Sequence, residues 1–390
     1  MKSSIIEKLQ NIKEANLYRR LRTQEYVCPT QAVINGQKVT LFSGNDYLGL
    51  STHPKVKEAA ARASEKYGTS ATASRLISGN HELYKRLEKR LAGFKNKEAA
   101  LIYPSGYMAN LGVLGTITGL NDIIYMDRLN HASLYDGCRL SGATLRRYPH
   151  ADIEKLENML KNDAVRPVSR ETGQGKRFII TDGVFSMDGD LAPLLRLKEL
   201  ARQYDCLLMV DDAHGTGVLG ENGRGACAFL DTEPDIEIGT LSKAIGSLGG
   251  FVAASQEIVD YLINKSRPFI FTTGLPPATL AAAICALEII QEDSSRQERL
   301  LALAKKARSI LQNAGFNITD GMTPIIPILV GSEEWALTLA DLCFQKGIFI
   351  PAVRAPAVPE NQARLRMTVS AIHTDEELDK ALEVLISCNR

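Results

Sequence analysis

Short apolar runs rich in β-branched residues alternate along most of this chain with longer stretches of helical periodicity. That alternation is how a parallel sheet covered by crossover helices reads in sequence, and it predicts an α/β fold. Expected strands are Ala99 to Tyr103, Ile123 to Met126, Phe178 to Thr181, Leu207 to Val210, Ile236 to Leu241 and Gly250 to Ala254. Several are apolar on both faces, as buried parallel strands are. Between them, Leu83, Leu87, Leu91 and Phe94 recur at helical spacing behind Asn80, read as the N-cap, and Leu194, Leu197, Leu200 and Ala201 do so after Pro193.

The pattern changes after about Ser295 to a long polar helix (Arg296 to Asn313), short strands near Ile325 to Val330 and Leu365 to Val369, and a closing helix. Thr374, followed three residues later by Glu377, is a capping box ahead of Leu378, Leu382 and Leu385. The expected division is an N-terminal helical and strand extension (1–45), a large domain (46–292) and a smaller α+β domain (293–390).

Composition removes several function classes. The 46 basic and 45 acidic residues leave a net charge of +1, without the global field of a nucleic-acid binder, so any anionic ligand must be held locally. Seven scattered cysteines with no C-x-x-C pair give no disulfide framework or metal knuckle and point to a reducing, cytoplasmic setting. No run is apolar and long enough to cross a membrane, and the opening residues lack a signal-peptide core.

Gly215, Gly217 and Gly220 spell G-x-G-x-x-G after a strand, which taken alone suggests a nicotinamide dehydrogenase. Turn-forming Glu221-Asn222-Gly223-Arg224-Gly225 follows instead of a helix, so the glycines read as a turn. More informative is how the strands end. Leu207 to Val210 runs into Asp211-Asp212-Ala213-His214, Phe178 to Thr181 into Asp182-Gly183-Val184-Phe185-Ser186-Met187-Asp188, and Ile236 to Leu241 into Ser242-Lys243. Polar groups at the C-terminal ends of several strands mark the ligand crevice of an open α/β sheet. A lysine there is either a solvated turn residue or a desolvated amine suited to Schiff-base chemistry.

These segments, with Asn45-Asp46-Tyr47-Leu48-Gly49-Leu50, Asn130-His131-Ala132-Ser133 and Thr240-Leu241-Ser242-Lys243, resemble the α-oxoamine synthases across essentially the whole chain. Those are fold-type-I enzymes dependent on pyridoxal 5′-phosphate. The resemblance implies a large, mixed, mostly parallel sheet with covering helices. It also implies decarboxylative condensation of an amino acid with an acyl thioester. Thr273-Gly274-Leu275-Pro276-Pro277 and Arg354-Ala355-Pro356-Ala357-Val358-Pro359 look most like the members that join L-alanine to a pimeloyl group carried on coenzyme A or a carrier protein, for biotin synthesis. Members that use glycine and acetyl-CoA are the alternative.

By the same resemblance, Lys243 is the Schiff-base lysine and proton carrier, Asp211 the partner of the pyridine nitrogen, and His131 the stacking residue. His214 and Ser186 stand near the phenolic oxygen. Gly106, Tyr107 and Thr240 hold the phosphate, with Thr272 and Thr273 reaching it from the neighbouring subunit of a homodimer whose site lies at the interface. Arg354 clamps the substrate carboxylate, with Asn45, Arg19 and position 357 also near substrate. Arg20 or Arg22 could take the place of Arg19. Ala357 stands where these enzymes commonly have threonine. No metal is implied.

Overall fold

The computed structural model describes residues 2–14, 17–19, 21–165, 175–355 and 357–389. Its centre is a seven-stranded sheet of Ala99–Tyr103 (β1), Ile123–Asp127 (β2), Thr144–Tyr148 (β3), Arg177–Asp182 (β4), Cys206–Asp211 (β5), Ile236–Thr240 (β6) and Gly250–Ala254 (β7). The spatial order is β1-β7-β6-β5-β4-β2-β3. All neighbours are parallel except β7, which runs antiparallel between β1 and β6. Each of the six strands expected from sequence is present, with ends moved by no more than a residue. Strand β3 was not anticipated: Thr144-Leu145-Arg146-Arg147-Tyr148 sits on the sheet edge, mostly exposed, and so lacks the apolar run that marks the others.

Apolar residues alternate between the two faces of this sheet into two cores. One takes Ile102, Tyr125, Ile179, Leu208 and Phe251, the other Leu101, Ile124, Ile180, Met209 and Val252. Helix Glu82–Phe94 is capped by His81, whose ring accepts from the Leu83 N–H. This corrects the reading of Asn80 as the cap. The Asn80 carbonyl is instead taken by the Arg75 guanidinium, at 2.9 and 3.0 Å, and Arg75 also pairs with Glu88. A charged fork outcompetes one backbone N–H for the same oxygen.

The C-terminal part carries helix Ser295–Asn313 and a three-stranded antiparallel sheet of Ile325–Gly331, Ala363–Thr368 and Ala352–Val353. The closing helix Asp375–Cys388 begins at the Thr374/Glu377 capping box. Strands Gln24–Cys28, Gln31–Ile34 and Gln37–Leu41 form a meander that Ile348–Phe349 extends in parallel. The Glu377 carboxylate accepts from Thr30 Oγ1 at 2.8 Å and Gln31 Nε2 at 2.9 Å. The meander and the closing helix are thus hydrogen-bonded to each other. Among the described residues no helix is long and apolar enough to cross a membrane.

Candidate active site

Strand register brings the chemistry together. Asp182 pairs with Asp211 across β4 and β5, and Gly250 pairs with Thr240 and Tyr103, so the ends of β4, β5 and β6 and the turn after β1 share one rim. A cavity of about 210 Å³ opens there. Gly106, Tyr107, His131, Ser186, Asp211, His214, Thr240 and Lys243 all line it, and with them Asn110, Ser133 and Asp182.

At one end, helix Gly106–Ile117 points its N-terminus into the cavity. Ser105 caps it by accepting from the Met108 N–H at 3.1 Å. The Gly106 and Tyr107 N–H groups have no partner among the described residues, which leaves two donors at the positive end of a helix dipole. A side chain at position 250 would lie 2.5 Å from the Ser105–Gly106 backbone, so only glycine lets β7 pass this turn. Thr240 Oγ1 donates to Gly249 O at 2.9 Å and lies 2.7 Å from Ser242 Oγ, fixing the polypeptide just before Lys243.

The Lys243 side chain makes no hydrogen bond to another described residue; its carbonyl accepts from the Gly246 N–H at 2.8 Å. Burial lowers its pKa to about 8, with Asp211 and Asp182 resisting the shift and Arg366 adding to it. Asp211 is buried. Its Oδ1 accepts from the Ala213 N–H at 3.0 Å and its Oδ2 from Asn110 Nδ2 at 2.6 Å. Burial, reinforced by the Asp211 carboxylate, raises the pKa of Asp182 well above the usual range, while the His131 N–H at 2.9 Å opposes it.

Both histidines are driven toward the neutral form. For His214 the cause is burial, then the charges of Lys243 and Arg366, which take its pKa well below the ordinary value. For His131 burial lowers it, Asp211 opposes and Lys243 adds. His214 Nδ1 is 2.8 Å from Tyr47 Oη, which also reaches Asn45 Oδ1 at 3.2 Å. Arg366 Nε donates to Ser186 O at 2.6 Å and its Nη2 reaches Asn45 Oδ1 at 3.4 Å. Asn45 therefore joins the site through Tyr47 and Arg366.

Beneath the rim, Lys95 Nζ donates to Asp212 Oδ2 (2.9 Å), Thr216 Oγ1 (2.8 Å), Arg224 O (2.6 Å) and Glu237 Oε1 (2.6 Å). The Gly215-Gly217-Gly220 segment folds as a turn over this cluster, with Gly217 N–H on Gly223 O at 2.7 Å, and leads into no dinucleotide-binding helix. Lys95→Ala strands two buried carboxylates and is expected to lower stability by about 3–5 kcal/mol, read by urea denaturation. A loss below about 1 kcal/mol would show that the cluster is not what holds this turn.

Other expected residues lie away from the cavity. Thr272 and Thr273 do not line it, and Thr273 is bridged to Ser74. Arg354 is half-buried and has no side-chain partner among the described residues, while Ala357 and Arg19 are exposed. Arg22 faces the Phe344 and Phe349 rings, and Arg20 and Pro356 lie outside the described residues. Asn110, Tyr47 and Arg366 were not singled out from sequence. Asn110 is one helical turn beyond Gly106, a spacing that would have put both on the pocket side.

The chain was compared with known proteins. The model of the family described as aminotransferase class I and II matches residues 37–385. The 8-amino-7-oxononanoate synthase of Geobacter sulfurreducens is 47% identical over 389 residues, covering 99% of this chain and 97% of that protein. That of Lysinibacillus sphaericus is 45% identical over 376 residues, covering 96% and 95%. Among solved structures, a serine palmitoyltransferase from S. paucimobilis with a bound PLP–myriocin aldimine superposes with a TM-score of 0.91 at 29% identity, over 99% of this chain and 97% of that one. An 8-amino-7-oxononanoate synthase from Francisella tularensis gives 0.76 at 30% identity, over 90% and 97%. With relatives this similar over nearly their full length, the chain belongs to the class I and II aminotransferase family and, within it, to the 8-amino-7-oxononanoate synthases.

Proposed function

We propose that this protein is a pyridoxal 5′-phosphate-dependent 8-amino-7-oxononanoate synthase. It condenses L-alanine with a pimeloyl thioester, carried on coenzyme A or a carrier protein, releases carbon dioxide, and works as a cytoplasmic homodimer. The observation that carries this reading is the pairing, in one cavity, of an amine without a hydrogen-bond partner among the described residues (Lys243) and a fixed buried carboxylate (Asp211). The donor set suits the cofactor. Two N–H groups at a helix N-terminus, without a partner among the described residues, match a phosphate dianion, the Thr240 hydroxyl joins them on turning its hydrogen away from Gly249 O, and Asp211 matches a protonated ring nitrogen.

When bound, the cofactor supplies a conjugated electron sink for the negative charge that develops on the substrate Cα. The protein does the rest. Lys243 would hold the cofactor through Nζ, and the same nitrogen would carry the proton taken from the substrate Cα. Asp211 would keep the ring nitrogen protonated, His131 would cover the ring, and His214 and Ser186 would serve the phenolic oxygen. Gly106, Tyr107 and Thr240 hold the phosphate, with Thr272 and Thr273 contributed from a second copy. Arg354, with no side-chain partner among the described residues, is the guanidinium we assign to the substrate carboxylate, and Asn45, Arg19 and the backbone around Ala357 border the substrate.

The test is the mass of the product formed from L-alanine with pimeloyl-CoA or a pimeloyl carrier protein. Appearance of 8-amino-7-oxononanoate is expected. A product only from glycine and acetyl-CoA would sink the substrate assignment. The Lys243 amine must be neutral to bond the cofactor, and burial lowers its pKa to about 8. Capture of added pyridoxal phosphate by the cofactor-free protein should therefore quicken as pH rises through about 8 and level off above. Stopped-flow absorbance reads this, and a rate that falls over that range contradicts it.

A further inference from the structure

Helix Gly106–Ile117 meets the cavity twice. Its first turn offers the free Gly106 and Tyr107 N–H groups, and one turn later Asn110 comes in, 1% exposed. Asn110 Nδ2 donates to Asp211 Oδ2 at 2.6 Å and to Ser133 Oγ at 2.8 Å. A carboxylate oxygen only accepts, so the amide nitrogen must face Asp211, and both amide hydrogens are then used. Asn110 Oδ1 is left buried with no hydrogen-bond partner among the described residues. An asparagine kept only for packing would not retain such a cost.

The consequence reaches His131. Ser133 Oγ accepts from Asn110, so its own hydrogen is free for its other neighbour, His131 Nδ1 at 2.7 Å. The Ser133 backbone N–H also donates to that nitrogen, at 3.3 Å. A ring nitrogen that receives two donors holds a lone pair, so in neutral His131 the proton sits on Nε2.

We propose that Asn110 is a positioning residue, which anchors Asp211 directly and, through Ser133, fixes His131 as the Nε2–H tautomer. One helix thereby aligns three parts of the site: the phosphate donors at its tip, the carboxylate for the ring nitrogen, and a histidine whose outward nitrogen is a donor. The link to the cofactor rests on the function proposed above, whereas the tautomer is a property of the protein alone.

The test joins ¹⁵N NMR of histidine-labelled protein to equilibrium binding of pyridoxal phosphate, with thermal melting as the check on folding. In the wild-type protein, Nδ1 of His131 is expected in the unprotonated range and Nε2 in the protonated range. In Asn110→Ala the two nitrogens should average as the tautomers mix, and the dissociation constant for pyridoxal phosphate should rise about tenfold or more. Ser133→Ala should disturb the tautomer but weaken cofactor binding less, because Asp211 keeps its amide partner. It also serves if Asn110→Ala does not fold. A wild-type His131 protonated on Nδ1 overturns the proposal, as does a folded Asn110→Ala with unchanged tautomer and affinity. Wild-type protein that binds no pyridoxal phosphate yet shows the expected tautomer would instead refute the function and leave the Asn110–Ser133–His131 relay standing.

Discussion

Lys243→Ala is expected to abolish turnover and the visible absorbance of bound pyridoxal phosphate while leaving the fold intact. Nothing nearby can replace the amine. The other groups lining the cavity are carboxylates, hydroxyls, amides and imidazoles, and Lys95 is held by four hydrogen bonds beneath the rim. The Lys243 side chain forms no hydrogen bond to another described residue, so its removal costs little stability and the loss is chemical. Because one nitrogen is assigned both covalent attachment and proton transfer, the expected drop in kcat is at least about 10⁴-fold. Activity above about a tenth of wild type would reject Lys243 as the reactive amine.

Asp211→Asn should give the second-largest effect, on the order of 10³-fold in kcat, with cofactor binding weakened far less. The geometry separates the two readouts. An asparagine at 211 can still take the Ala213 N–H on its oxygen, so the turn at the end of β5 survives. It cannot hold a pyridine nitrogen in the protonated state, because it carries no charge. Steady-state rates and an absorbance titration check this, and near-wild-type turnover would remove Asp211 from the proposed role.

Most of the central sheet was legible in the sequence because a strand buried on both faces needs an uninterrupted apolar run, and β1, β2, β6 and β7 are buried throughout. The edge strand β3 and the Gln24–Leu41 meander were harder to read, since half their positions face outward and polar residues break the pattern. In the site, groups that end a strand announced themselves: Asp182, Asp211 and Lys243 each follow an apolar run. Asn110 lies within a nearly uniformly apolar helix, and its importance comes from Asp211, a residue 101 positions away. Tyr47, Arg366 and His214 likewise meet only because three distant segments converge. A contact of that kind has no local signature. The Asn80 misreading has the same origin, since Arg75 claimed its side chain from outside the helix.

The bond between Thr30 and Glu377 spans 347 positions, and Ile348–Phe349 completes a sheet begun near residue 24. During synthesis the meander emerges well before Ile348–Phe349, and it has no neighbour along that side until this later segment has left the ribosome. Long-range closure of this kind is slow, and an unpaired strand edge invites association with other nascent chains. The meander should therefore be the last region to gain protection from hydrogen exchange on refolding, its closure waiting on a strand about three hundred positions away.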